Sequence, residues 1–341
     1  MRKKVKRILI FIILPLIINS LIYVYIITKH DLNIYGNSII ITETILVPEQ
    51  NKIPILMYHH LTYDSEQWNS SNISPDQFKK EMLYLKALGY STINFEDYIE
   101  FKENGKKLPN NPIIITFDDG YYSNYEYAYP ILKELNMKAT ISIIGWSVGR
   151  EYDKDNLTPI SRHFSWKQAK EMYDSGLIDI QNHSYDLHSN SNYKKSADKL
   201  PTETQAQYVK RFKEDTLKTK KLIESNLKNK VIVYTYPLGI YNDTTEKILK
   251  ELGFKVSLTT ENGVSDFNNG LYLLKRINMP SIKSQELING ILQLQNRNIK
   301  IPFNIYLKVH LMFLLSKNLS KAHPLTRVFS IAYIVYLSTE S

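Results

Sequence analysis

The sequence predicts a parallel α/β fold, as a barrel or an open sheet. Three observations carry that expectation. Strand-like and helix-like stretches alternate roughly seven times between residues 53 and 290, the rhythm of βα units rather than of hairpins. The stretch Ile113-Ile114-Ile115-Thr116-Phe117 is apolar or β-branched at every position, so both of its faces should be covered. Helix starts are also marked: Ser74-Pro75-Asp76-Gln77 and Ser165-Trp166-Lys167-Gln168 both read as Ser-x-x-Gln caps.

The elements follow in order. Residues 1–30 read as a membrane segment, with a basic flank from Arg2 to Arg7 and no charge across 8–28, about the 20 residues that span a bilayer. The basic flank favours the cytoplasmic side, which places the rest outside. A cleaved signal peptide, and hence secretion, is the competing reading. Against it, the apolar run continues through Tyr23-Val24-Tyr25-Ile26-Ile27 with no Ala-x-Ala beyond it. Residues 31–51 form a polar linker. The folded body, 52–296, opens with the short strand Ile53-Pro54-Ile55-Leu56-Met57, which ends in Tyr58-His59-His60. A helix follows with Phe78, Met82, Leu85 and Leu88 at helical spacing, closed by Gly89. Next come a strand at 90–93, a helix at 95–101 and the central strand at 113–117. Beyond it the spacing predicts helices over 129–135, 166–174, 214–227 and 245–252. Strands are expected at 139–144, 177–180, 231–236, 254–258 and 271–277, and a loop at 190–205. The tail, 297–341, is apolar and basic, suited to a membrane interface or to packing as ordinary helices.

Charge narrows the function classes. The chain of 341 residues has a net charge of +9 and no cysteine, so disulfides and thiolate ligands are excluded. Residues 1–30 carry +6 and residues 297–341 carry +5, which leaves −2 for everything between. A nucleic-acid binder would carry its basic stripe on the folded body. Basic, apolar ends suit anionic lipid instead.

The central strand ends in Asp118-Asp119-Gly120. Asp-Gly is ordinary turn chemistry, but the C-terminal ends of parallel strands are also where α/β folds place their chemistry. Two adjacent carboxylates reach one cleft only if the chain is already turning, which Gly120 permits. A second cluster, Asn182-His183-Ser184-Tyr185-Asp186-Leu187-His188, follows another strand. On a continuous helix His183 and His188 would point about 140° apart, so they share a metal only from a loop. A His₂Asp set leaves a position open for water, the arrangement of catalytic zinc sites, and leaves the other Asp free as a base. His59 and His60 suit metal ligation, substrate contact or a capped pair. The aromatic stretch 121–127 suits either core packing or a sugar site.

Together these stretches resemble the polysaccharide deacetylase family, or NodB-homology domain, over roughly 52–292. Its first motif reads Thr-Phe-Asp-Asp-Gly and its second is a His pair. The resemblance implies a distorted (β/α) barrel of about seven strands, here behind an N-terminal transmembrane helix. It implies that Asp118 is the general base and that Asp119, His183 and His188 are the metal ligands. The wide histidine spacing and the opening Pro54-Ile55-Leu56-Met57-Tyr58-His59-His60 resemble the branch acting on poly-N-acetylglucosamine of biofilm matrices. Tyr234-Thr235-Tyr236-Pro237-Leu238-Gly239-Ile240-Tyr241 resembles the third motif, a cleft wall in which the residue after Pro offers its N–H to the oxyanion. Tyr58, His59, Tyr236, Pro237, Leu238, Tyr241 and Arg276 are therefore the expected substrate-binding residues.

Two departures stand out. Thr235 lies where the family often carries an Arg that orients the base. The stretch Leu273-Leu274-Lys275-Arg276-Ile277-Asn278-Met279 lacks the usual general-acid His. The acid is left open among Asp118, His59 and His60, and Arg276 could neutralise charge near the base. The implied activity is metal-dependent N-deacetylation of an N-acetylglucosamine polymer, poly-β-1,6-N-acetylglucosamine first and peptidoglycan or a chitin-like glycan second. The rival is a catalytically weak glycan-binding protein. Zinc, cobalt and nickel all suit an Asp-His-His set.

Overall fold

The computed structural model describes residues 51–188 and 197–279. The membrane segment expected at 1–30, the linker up to residue 50 and everything from 280, including the tail at 297–341, lie outside the described residues. Among the described residues no helix is long and apolar enough to cross a membrane.

Along the chain the main strands are β1 (Ile55–Tyr58), β2 (Ser91–Thr92), β3 (Pro112–Phe117), β4 (Ala139–Ile143), β5 (Ile178–Asn182), β6 (Val233–Thr235), β7 (Val256–Asn262) and β8 (Leu274–Asn278). Their order in the sheet is β1-β8-β7-β6-β5-β4-β3, and β3 pairs back onto β1, closing a seven-stranded parallel barrel. The strand expected at 90–93 forms as β2 but is not a stave. It pairs with the first two residues of β3, outside the ring.

Among the described residues six α-helices cover the barrel: α1 (Pro75–Ala87), α2 (Phe95–Asn104), α3 (Tyr129–Leu135), α4 (Trp166–Asp174), α5 (Gln205–Leu227) and α6 (Asp243–Glu251). The box at Ser165 is reciprocal, as its spacing predicts. The one at Ser74 is half made. Ser74 accepts from the Gln77 N–H, but the Gln77 side chain turns to Glu81. Helix α5 starts nine residues before the expected 214, because Thr204 and Gln207 form a box of their own and Tyr208 and Phe212 already face the core.

Strand alternation explains why whole strands are apolar. In β3, Ile113, Ile115 and Phe117 pack outward in one cluster with Phe78 of α1 and Leu132 of α3. Ile114 packs in a second cluster with Ile55, Val233 and Leu258 of the other staves. Each fully buried Ile contributes roughly 1.5–3 kcal/mol, so β3 is fixed from both sides. The residue that continues its inward set beyond Thr116 is Asp118.

One irregularity bears on the site. Pairing between β7 and β8 passes from Leu258 with Leu274 to Asn262 with Arg276, four residues against two. Such a bulge re-aims backbone groups. Here it leaves the Thr259 carbonyl to accept from Arg276 Nε at 2.8 Å.

Candidate active site

The C-terminal ends of the staves open into a cleft of about 450 Å³, lined among others by Asp118, Asp119, His183, His188, His59 and Tyr121. The first two arrive together because the chain turns at once after β3. Asp119 takes φ +72 and Gly120 φ +82, and the Gly120 N–H closes back onto the Asp118 carbonyl at 2.9 Å. A side chain at Gly120 would strike Ile143 Cγ2 at 2.8 Å. The turn that Gly120 permits therefore already begins at Asp119.

Asp118 lies at the cleft floor, 2% exposed. The wholly buried Arg276 donates from Nη1 to its Oδ1 and from Nη2 to its Oδ2, both at 2.7 Å. Burial works against the Asp118 charge, but this guanidinium and the nearby histidines outweigh it and hold the carboxyl below its usual range. Arg276 reaches Asp118 from β8, another stave than the one that carries Thr235. The position agrees with the reading that Arg276 neutralises charge near Asp118, and corrects the expectation that it binds substrate. It is sealed behind the carboxylate that it pairs.

Asp119 has a different setting. Its Oδ1 lies 3.4 Å from both His183 Nε2 and His188 Nε2, yet it is buried without a hydrogen-bond partner. His183 Nδ1 faces the Thr235 carbonyl at 2.8 Å, and a carbonyl can only accept, so Nδ1 carries a proton and Nε2 is the nitrogen turned toward Asp119. Two imidazole nitrogens and a carboxylate oxygen therefore converge, a donor set that suits a cation at their centre. Their donor atoms all lie within 4.8 Å of one another, in a group that could hold a metal ion. The set fits a divalent metal by chemistry as well as by position, and the Thr235 carbonyl orients one ligand in the usual manner. Burial opposes the charge on Asp119 too, and His183 and His188 more than offset it, so its carboxyl lies well below the normal range.

The remaining expected residues divide. His59 lines the cleft, with Nε2 3.8 Å from Asp118 Oδ2. His60 turns away, its Nδ1 paired with Ser123 Oγ at 2.9 Å. Tyr58 is not a substrate contact. It alternates outward from His59 into the core, where its hydroxyl donates to Glu81 at 2.8 Å. Tyr236 forms part of the cleft wall, with its hydroxyl drawn away to Glu246 at 2.8 Å. Pro237 is buried and opens a turn in which Leu238, at φ +57, lines the cleft. Tyr241 is not among the lining residues. Its ring packs on Tyr236 and its hydroxyl binds Glu261 at 2.7 Å.

Tyr121 is the functional residue that the sequence left unassigned. Its phenol lines the cleft, and burial followed by the nearby Asp119 carboxylate pushes its pKa far up, so it stays a neutral donor. The available signal was its place directly after Gly120, where the turn must carry the next side chain back over the cleft.

A parallel α/β barrel with a buried ion-paired carboxylate and, at its mouth, a His₂Asp donor set that could hold a metal ion is an arrangement suited to hydrolysis. A family model described as polysaccharide deacetylase matches residues 105–257. The poly-beta-1,6-N-acetyl-D-glucosamine N-deacetylase of Staphylococcus aureus (strain NCTC 8325 / PS 47) is 32% identical over 213 residues, covering 62% of this chain and 69% of its own. Among solved structures, the Streptococcus pyogenes deacetylase PplD in complex with acetate is 28% identical, with a TM-score of 0.56 over 72% of this chain and 98% of that one. IcaB from Ammonifex degensii is also 28% identical, with a TM-score of 0.57 over 67% of this chain and 93% of that one. The chain belongs to the polysaccharide deacetylase family. It is a hydrolase of amide bonds.

Proposed function

We propose that the protein removes acetyl groups from the N-acetylglucosamine residues of an extracellular polymer, poly-β-1,6-N-acetylglucosamine before any other, in a metal-dependent reaction. The observation that carries the reading is the convergence of Asp119, His183 and His188 beside the separately held Asp118. The Staphylococcus aureus relative supports the choice of polymer.

When bound, a divalent metal supplies Lewis-acid activation of water and of the acetamide carbonyl. Zinc suits two imidazoles, one carboxylate and an open position, and cobalt and nickel suit the same donors. Asp118, kept ionised by Arg276, accepts the proton of the attacking water. The oxygen of the former carbonyl gains negative charge, and the Leu238 N–H in the cleft wall is the group we assign to stabilise it. His59 gives a proton to the glucosamine nitrogen as the C–N bond breaks, releasing acetate and a free amine. Asp118 and the newly formed acetic acid then give up their protons to solvent, and His59, 3.8 Å from Asp118, takes one back from solvent, which resets both groups.

We place this activity outside the cytoplasm on a chain anchored through residues 8–28, a placement that rests on the sequence alone. Acetate release from β-1,6 and β-1,4 N-acetylglucosamine oligomers, measured side by side on the zinc-loaded protein, tests the substrate. Faster release from the β-1,6 series supports the reading. Preference for β-1,4 oligomers moves it to peptidoglycan or a chitin-like glycan. Release from neither, with zinc bound, leaves a glycan-binding protein.

A further inference from the structure

We infer that Asp215, on α5 and outside the cleft, is a positioning residue for the metal site: it holds the 183–188 turn in the shape that delivers His188 to Asp119. The inference rests on the reading of Asp119, His183 and His188 as metal ligands.

The two histidines are supported unequally. His183 follows β5 directly. Its backbone N–H donates to the Ile143 carbonyl at 3.0 Å and its ring is held by the Thr235 carbonyl. His188 lies beyond a turn, and its ring is placed by whatever shapes that turn. The turn is not a relaxed one, because Ser184 sits at φ +69, a conformation that a non-glycine residue keeps only when its surroundings enforce it.

Asp215 supplies that enforcement. Its Oδ1 accepts the N–H of Tyr185 at 2.7 Å and its Oδ2 accepts the N–H of Asp186 at 2.8 Å. Two consecutive amides point at one carboxylate only when the backbone is curled around it, in the manner of an anion nest. Both bonds are charge-assisted, so they are stronger than neutral ones. Other contacts fasten the same helix to the same turn. Lys218, one turn along α5, sets its Nζ 3.5 Å above the Tyr185 ring. Asn182, immediately before His183, donates to the Thr216 carbonyl at 2.9 Å and accepts the Ser184 N–H at 2.8 Å. There is no slack behind the turn. A Cβ on Gly145 would lie 2.3 Å from Thr219 Oγ1 and 2.9 Å from the Tyr185 ring. Helix α5 thus acts as a splint, and the Asp215 carboxylate is the grip that reads the backbone directly. Partners one step behind a metal ligand commonly set affinity by 10–100-fold.

The test is zinc affinity of the full-length protein, by competition with a chromophoric chelator, for wild type and Asp215→Asn. Asparagine keeps the shape but only one of its two terminal atoms can accept an N–H. We expect zinc binding weakened about 10–100-fold in a variant whose metal-free circular dichroism matches wild type. Wild-type affinity in the folded variant overturns the inference and leaves Asp215 a structural residue only. Failure of wild type to bind zinc overturns the underlying metal reading as well, so the two failures are distinct. Should the variant not fold, amide exchange at Tyr185 and Asp186 in the metal-free wild type decides. Protection of both supports the grip, and exchange as fast as in open loops contradicts it.

Discussion

Arg276 and Asp118 meet in a two-pronged pair, 2.7 Å at each contact, with the guanidinium wholly buried and the carboxylate 2% exposed. The guanidinium is further held by the Thr259 carbonyl at 2.8 Å. An ionised base at the floor of a cleft is costly to bury alone, and this fork is what keeps it charged. Removing one partner of such a pair costs about 3–5 kcal/mol of stability. Arg276→Ala should therefore lower Tm markedly and reduce kcat at least about a hundredfold, with KM little changed, because Arg276 does not touch substrate. Arg276→Lys should recover only part of the rate, since an ammonium cannot pair both oxygens in one plane. Steady-state kinetics and a melting curve on the three proteins check this.

Tyr121 offers a gentler perturbation of Asp119, the proposed metal ligand. Its phenol lines the cleft beside that carboxylate, and Tyr121→Phe removes only the hydroxyl. Zinc affinity should fall about 10-fold or more, while stability changes by only about 1 kcal/mol. Chelator competition and thermal melting separate the two effects.

Gly120 tests the turn that joins the carboxylates. At φ +82, with Ile143 Cγ2 only 2.8 Å from the place of a Cβ, it has neither the conformation nor the room for a side chain. Gly120→Ala should destabilise by about 1–3 kcal/mol and abolish most activity, by moving Asp118 and Asp119 relative to each other. Denaturant unfolding and acetate release report the two consequences.

Glu81 gives a pH signature away from the site. It is wholly buried, accepts from the Tyr58 hydroxyl and Gln77, and burial pushes its pKa up to about 8. In the folded protein it is therefore protonated through neutral pH, whereas the unfolded chain ionises it near the ordinary Glu value. Between those two values the folded state binds the extra proton, so this group's contribution to stability is full in acid and falls as pH rises toward 8. Glu81→Gln, which is neutral at every pH, should flatten that slope and melt higher than wild type at pH 8 relative to pH 5. Melting curves of both proteins across that range give the answer.

Local signals in the chain revealed most of the barrel and the heart of the site. The run at 113–117, the Asp118-Asp119-Gly120 end and the His183 to His188 spacing each sit within a few residues, so pattern and turn chemistry suffice to find them. Tyr58 and His59 were separable too, because strand alternation puts neighbours on opposite faces, and the structure puts Tyr58 in the core. The sequence suggested Arg276 as a charge partner near Asp118, but the two-pronged geometry of that pair depends on closure of the ring. Arg276 stands 158 positions from Asp118. The two meet because β8 pairs with β1 and β1 with β3, and because a bulge in β7 frees the Thr259 carbonyl. The start of α5 was hidden for another reason. Its first turns are mostly polar, and only the Thr204 box and the buried Tyr208 and Phe212 betray them.

The most direct test of the central claim, a metal-dependent amide hydrolysis with Asp118 as base, is acetate release from β-1,6 N-acetylglucosamine oligomers. It is measured before chelation, after chelation and after zinc is restored, for wild type and Asp118→Asn. Chelation should remove release in wild type and zinc should restore it, and Asp118→Asn should show none although that variant still binds zinc. Release that persists through complete chelation, or full activity in Asp118→Asn, would contradict the central claim.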